Sequence, residues 1–298
     1  DFGSTVDAAA RARFDESAAD TRARVDAFAR RVAAAIATTP EYNHHHHHHQ
    51  QQQQSSRDAS LAVRAAATLL HRRLYAKLFE PAILEDPETV ERADRLDRRL
   101  DRRLAALEWV TARHLGVRPD LVDALAQAAA SGATTTSSGT TYSDDAAADG
   151  AVVASAGGGP FDDAKRWLRK LDAAPSPADK ARCLGVAATA LLRIDARAAA
   201  DDLLPMVVLA VKAARPPRLA SNVAYLKRFA DAATGPAGYV VSTFLGAVDF
   251  LKRLSAADLE GVEPAAFAAA LRNARDRAEK QTSTNGVATR GPAARPPL

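Results

Sequence analysis

The stretch that decides the fold begins Ala200-Asp201-Asp202-Leu203-Leu204-Pro205. Two carboxylates stand directly before an apolar run, Leu203 to Ala214, interrupted only by Pro205 and Lys212. Aspartate is a favoured helix cap and complements the positive end of the helix dipole, so a helix starting at Leu203 follows. Eleven residues after Pro205, Pro216-Pro217-Arg218-Leu219-Ala220-Ser221-Asn222 restarts the chain, followed by Tyr225 and Arg228-Phe229. Asn222 is expected to bond backbone at the turn after the two prolines. Gly238-Tyr239-Val240-Val241-Ser242-Thr243 then opens an apolar helix that reaches Phe250-Leu251. Helices are expected at approximately 182–194, 203–214, 219–231, 239–254 and 264–279.

The rest of the chain agrees. Apolar residues make up 47% of it but aromatics only 5%, so the core rests on Ala and Leu. With few β-branched residues outside short runs, that composition favours helices. Residues 5–37 read as an amphipathic helix or helix pair, with Val25, Phe28, Val32 and Ile36 at spacings of three and four. A second helical stretch, 58–81, is expected to pack Leu69, Leu70, Leu74, Leu78 and Phe79 inward. In 87–110, Leu96, Leu100, Leu104 and Leu107 make one stripe, while five arginines of its other faces alternate with Asp94, Asp97 and Asp101. Acid and base so interleaved suit a solvated face better than an anion site. No β-hairpin signal, repeat period or Gly-rich phosphate loop is present. The expected fold class is all-α, a helical bundle plus a layered helical core.

Three segments stand outside that core. His44 to His49 run into Gln50 to Gln54. A metal site, a tag and a natural low-complexity repeat are the three readings, and the internal position favours the repeat. Residues 129–160 carry almost no large apolar side chain, so they cannot offset the entropy of ordering and read as a disordered insert. The tail from Gln281 to Leu298 reads the same way. The expected organisation is 1–57 as an N-terminal helix with the His/Gln segment, 58–260 as the principal domain, and 261–298 as a C-terminal helix and tail.

Several functions lack support. A single cysteine, Cys183, excludes an internal disulfide framework and a cysteine metal cluster. His71 and His114 stand apart, and no Ser-His-Asp or Gly-x-Ser-x-Gly arrangement supports a hydrolase. The net charge of +4 comes from arginines mixed with acids, without stacking aromatics, which argues against nucleic acid. No apolar run is long enough to span a bilayer. The chain opens with neither a secretory signal nor an initiator Met, and reads as a fragment of something longer.

The order D-D-L-L-P…P-P-x-L-x-S-N-x-x-Y…R-F…G-Y-x-x-S/T…A-x-x-F, from Asp201 to Phe250, resembles the Vps-nine (vacuolar protein sorting nine) domain. The Leu-rich helix running into Trp109, and Asp179-Lys180-Ala181-Arg182-Cys183, also resemble that pattern, with Ala181 in place of a larger apolar residue. The family consists of helical guanine nucleotide exchange factors for Rab GTPases of the Rab-five subfamily. The resemblance implies a non-covalent exchange catalyst, with no cofactor of its own, acting in endosomal or vacuolar trafficking. It implies a cytoplasmic protein recruited to early endosomes, with peripheral membrane association through partners.

The resemblance also assigns roles. Asp201, four residues before Pro205, falls at the family's acidic finger, which attracts the GTPase phosphate-loop lysine and opposes Mg²⁺ and phosphate. Asp202 is one residue out of register and is the alternative. Either could instead only cap the helix. Tyr239 and Ser242 fall at a tyrosine and threonine that face the GTPase switches; Ser242 keeps the hydroxyl without the methyl. Tyr239 could equally be a half-buried core tyrosine. Leu203, Leu204, Val207, Val240 and Val241 could line a groove or the core.

Overall fold

A computed structural model describes residues 22–32, 34–35, 61–75, 79, 87–131, 159–230 and 235–288. The His/Gln tract, most of the 129–160 segment and the tail beyond Ala288 lie outside them. Every regular element among the described residues is helical, as expected. Residues 22–32 form α1 and 61–75 form α2. There follow α3 (Pro87–Ala106), α4 (Pro119–Ser131), α5 (Pro160–Lys170), α6 (Pro177–Leu192), α7 (Ala200–Ala214), α8 (Leu219–Phe229), α9 (Pro236–Arg253) and α10 (Pro264–Ala288). Six of the helices from α3 onward start on proline, whose fixed φ suits the first helical position and whose missing N–H would lack a partner there anyway. No described helix is long and apolar enough to cross a membrane.

The chain divides into two compact units. The first draws on Asp1–Leu96, Lys170–Cys183 and Arg218–Tyr239. Its core joins Val25, Phe79, Ala93, Tyr225 and Phe229, with Tyr75 packed against them. The Tyr75 and Phe79 rings stack at 4.9 Å, and Phe229 lies 5.0 Å from Tyr225. The expected leucine face of α2 is not the buried one. Leu69 is 60% exposed and Leu74 38%, while Ala66, His71 and Phe79 are buried. Phe28 of α1 is likewise exposed, and Val25 and Ala29 face inward.

A buried cation lies in this unit. Lys180 of α6 has no solvent exposure. Its ammonium donates to the Tyr75 hydroxyl at 3.0 Å, the Leu171 carbonyl at 2.7 Å and the Asn222 Oδ1 at 2.6 Å. Those three bonds match the three N–H donors of an ammonium. The faces of Tyr75, Phe79 and Tyr225 lie 5.1 to 5.5 Å from the charge. Asn222 passes the network on, donating from Nδ2 to Asp172 and to the Arg218 carbonyl, both at 3.0 Å. The expected backbone bond of Asn222 is therefore present, as one part of a larger array. Burial pulls the Lys180 pKa down to about 8, against an opposing pull from Asp172.

The second unit draws on Asp97–Arg169, Leu184–Pro217 and Val240–Leu298. Its centre is α7, where Met206 to Val211 are all buried, so neighbours enclose that stretch on every side. Leu100, Leu104 and Leu107 pack inward as expected, whereas Leu96 is 48% exposed. Basic side chains close the open carbonyl ends of helices and turns, where the dipole is negative. Arg103 donates to the Leu251 and Leu254 carbonyls, and Arg169 donates to Ala214 at 3.0 Å. Lys212 donates to the Glu108 and Val110 carbonyls, and burial pulls its pKa down to about 8. Trp109 lies between the rings of His114 and Phe267, at 5.5 and 5.8 Å.

Candidate functional site

The first turn of α7 separates the two adjacent aspartates. The helix begins at Ala200, three residues before the expected start at Leu203, and its N-cap is Ala199, which has no side-chain acceptor. Asp202, three positions on, supplies the missing cap in reverse: its carboxylate accepts the Ala199 N–H at 2.9 Å. Arg118, just before α4, grips the same carboxylate with Nε and a terminal nitrogen, both at 3.2 Å. Arg118 also reaches Asp120 at 3.5 Å, and Asp120 pairs with Arg197 at 3.0 Å. Asp202 is thus engaged within the fold on both oxygens.

Asp201 is different. Its side chain is exposed and makes no hydrogen bond or ion pair among the described residues. Exposed Leu204 follows it by three residues on the same face, and half-buried Pro205 by four. Pro205 has no N–H, so it cannot close the i→i−4 bond onto the Asp201 carbonyl. The D-x-x-x-P spacing therefore places a free carboxylate on a turn whose backbone ladder is interrupted at the same residue.

On α9, Gly235 takes φ 84°, a left-handed conformation that glycine adopts without strain, and Pro236 starts the helix. Gly238 lies inside the first turn and is buried. Tyr239 is 46% exposed and Ser242, one turn on, is exposed. The phenol ring is thus a surface group, not a core one. Of the apolar candidates, Leu203, Val207 and Val241 are core, Leu204 is exposed and Val240 is half-buried. Val207 of α7 meets Val240 and Phe244 of α9 in an apolar depression that Leu168 of α5 and Leu184 and Leu191 of α6 complete.

Asp201, Asp202 and Pro205 are therefore together on one helix, and Tyr239 with Ser242 on another. Arg118, Asp120 and Arg197 were not read from the sequence: Arg118 reaches Asp202 from 84 positions away, and Asp120 links Arg118 to Arg197. Among the described residues no cluster of His, Cys, Asp and Glu could hold a metal. Cys183 is buried, and that burial pushes its thiol pKa up, away from nucleophilic use.

Residues 161–256 match the family model of the Vacuolar sorting protein 9 (VPS9) domain. Vacuolar protein sorting-associated protein vps901 of Schizosaccharomyces pombe is 25% identical over 201 residues, covering 64% of this chain and 29% of that protein. The Rab5 GDP/GTP exchange factor of Homo sapiens is 24% identical over 200 residues, 63% of this chain and 32% of that one. GTPase-activating protein and VPS9 domain-containing protein 1 of Homo sapiens is 29% identical over 102 residues, 32% and 7% of the two chains. The chain thus spans less than a third of the length of these relatives.

Proposed function

We propose that this chain is a guanine nucleotide exchange factor for Rab GTPases of the Rab-five subfamily, with 58–260 as the exchange domain. The observation that carries the reading is the free Asp201 carboxylate beside a fully engaged Asp202. An exchange factor must prefer the nucleotide-free GTPase over the loaded one, since only differential affinity shifts that equilibrium. A carboxylate brought to the phosphate site does this. It attracts the phosphate-loop lysine that otherwise neutralises GDP, and repels phosphate. Leu204 and the apolar depression receive switch side chains, and Tyr239 and Ser242 supply ring and hydroxyl contacts. The nucleotide and Mg²⁺ belong to the partner. The chain acts from the cytoplasm on endosomal or vacuolar membranes.

The test is release of fluorescent GDP from a panel of purified small GTPases. At least one Rab-five-type protein responds, and Ras-type and Arf-type proteins do not. A folded chain that binds such a Rab without speeding release is a binding module, and the exchange reading then fails.

A further inference from the structure

We infer that the outward face of α2 docks on an anionic phospholipid surface. Over 61–75 the helix carries Arg64, Arg72 and Arg73 and no acidic residue. Leu61 and Leu69 are 59% and 60% exposed. With Ala65 between them they are spaced by four, so they form one stripe, flanked by exposed Arg64, Arg72 and Arg73. Arg72 is held by a bidentate pair with Asp179, at 2.9 and 2.6 Å. Arg64 and Arg73 have no carboxylate partner among the described residues. The contrast with α3 is direct. There exposed arginines alternate with Asp94, Asp97 and Asp101, and Arg95 pairs with Glu91 at 3.2 Å, which is a solvated face. Helix α1 adds to this: Phe28 is 44% exposed under the Arg31 guanidinium, and exposed Arg24 and Arg30 bring further positive charge, while the helix's one acid, Asp26, pairs with Arg22 at 3.8 Å.

Arginines beside an apolar stripe are what a helix lying in the membrane interface presents. The leucines reach acyl carbon while the guanidinium groups bind phosphate oxygens in pairs. Each basic side chain near an anionic leaflet strengthens binding about fivefold. Nucleic acid would satisfy the arginines but leave Leu61 and Leu69 in water, and the face has no ring on which a base could stack. The lipid surface uses both halves of the pattern. Attachment through α2 would hold the chain at the membrane without a transmembrane span, and does not depend on the exchange reading.

The experiment is co-sedimentation of the whole chain with vesicles of phosphatidylcholine alone or enriched in phosphatidylserine. It is run at about pH 8, where His44 to His49 are uncharged. The chain binds the phosphatidylserine vesicles, and added salt weakens that binding. R64E/R73E and L61S/L69S each lower affinity at least tenfold with the helical circular dichroism unchanged. Arg98→Glu, on the mixed-charge face of α3, changes it less than threefold. The proposal is overturned if the α2 variants bind like the parent chain or if Arg98→Glu costs as much as R64E/R73E. It is also overturned if duplex DNA binds more tightly than the vesicles and L61S/L69S leaves that binding intact.

Discussion

Two neighbouring carboxylates on one turn of α7 have opposite lives, and substitution should separate them. Asp201→Ala removes an exposed charge with no partner, so stability changes by no more than about 0.5 kcal/mol. GDP release, by contrast, falls at least tenfold, about 1.4 kcal/mol in the barrier. Asp202→Ala removes the cap and the Arg118 ligand and lowers stability by about 1 kcal/mol. Its exchange rate per folded molecule falls less than that of Asp201→Ala. Thermal melts and GDP release on the same preparations check both, and the reverse ranking would move the finger to Asp202. Arg118→Ala is a subtler case. The pair it breaks is half exposed, so the stability loss stays below about 1 kcal/mol. Its effect is to release Asp202 as a second unpaired carboxylate beside Asp201, so exchange becomes more sensitive to salt. At this scale the sequence was legible up to the pair. The resemblance put Asp201 at the finger with Asp202 as the alternative register, but the residues by themselves did not separate a cap from a free carboxylate. The distinction depends on where the helix starts and on Arg118, which comes from a distant part of the chain.

Elements carry the next lesson. Most helix positions were legible, because apolar spacing acts locally, but α4 (Pro119–Ser131) was not, and its last turn enters the stretch expected to be disordered. Which face of a helix turns inward was not legible either. In α2 Leu69 and Leu74 are outside and the inward positions are Ala66 and His71; only Phe79, beyond the helix, packs inward as expected, in an aromatic core completed by α8. Periodicity records that a helix has an apolar face, but the shape of the partner decides which face is buried. Lys180 is the same lesson in polar form. A lysine near the start of α6 reads as solvated, yet it is the hub that ties the Leu171 carbonyl, Tyr75 and the α8 residue Asn222. Lys180→Met therefore leaves Asn222 Oδ1 and the Leu171 carbonyl without their donor, and each buried unsatisfied group costs about 1–3 kcal/mol. Urea denaturation should show a loss of about 3 kcal/mol. Lys180→Arg does not restore it, since the planar guanidinium cannot aim three bonds at the same three acceptors. Parent-like stability in Lys180→Met would mean that the buried charge costs as much as its bonds return.

The stability of the whole molecule against acid turns on His71. The ring is buried beside Phe229 at 5.0 Å and shares a 2.8 Å hydrogen bond between Nδ1 and the Tyr225 hydroxyl. Burial lowers its pKa from 6.5 to about 4, although Asp26 pulls the other way. The unfolded chain, with the ordinary value, takes up a proton that the folded chain refuses. Stability is therefore complete above about pH 6.5, falls as pH drops through the window down to about 4, and is then lower by about 3 kcal/mol at most. Lys180 has a lowered pKa too, but its window lies between about 8 and 10.5, where stability rises with pH, so it does not blur the acid limb. Carboxylates held by cations, such as Asp179 with Arg72, also weaken the fold on acidification, below their ordinary range. The histidine contribution must therefore be read as a difference. His71→Gln keeps a hydrogen-bonding group near Tyr225 but cannot titrate. Urea denaturation at pH 7 and pH 4.5 (about half a unit above the folded pKa) should show the parent chain losing about 2 kcal/mol more than His71→Gln. Equal losses in the two proteins would place the acid sensitivity entirely in the carboxylates, with His71 no more than a neutral packing group.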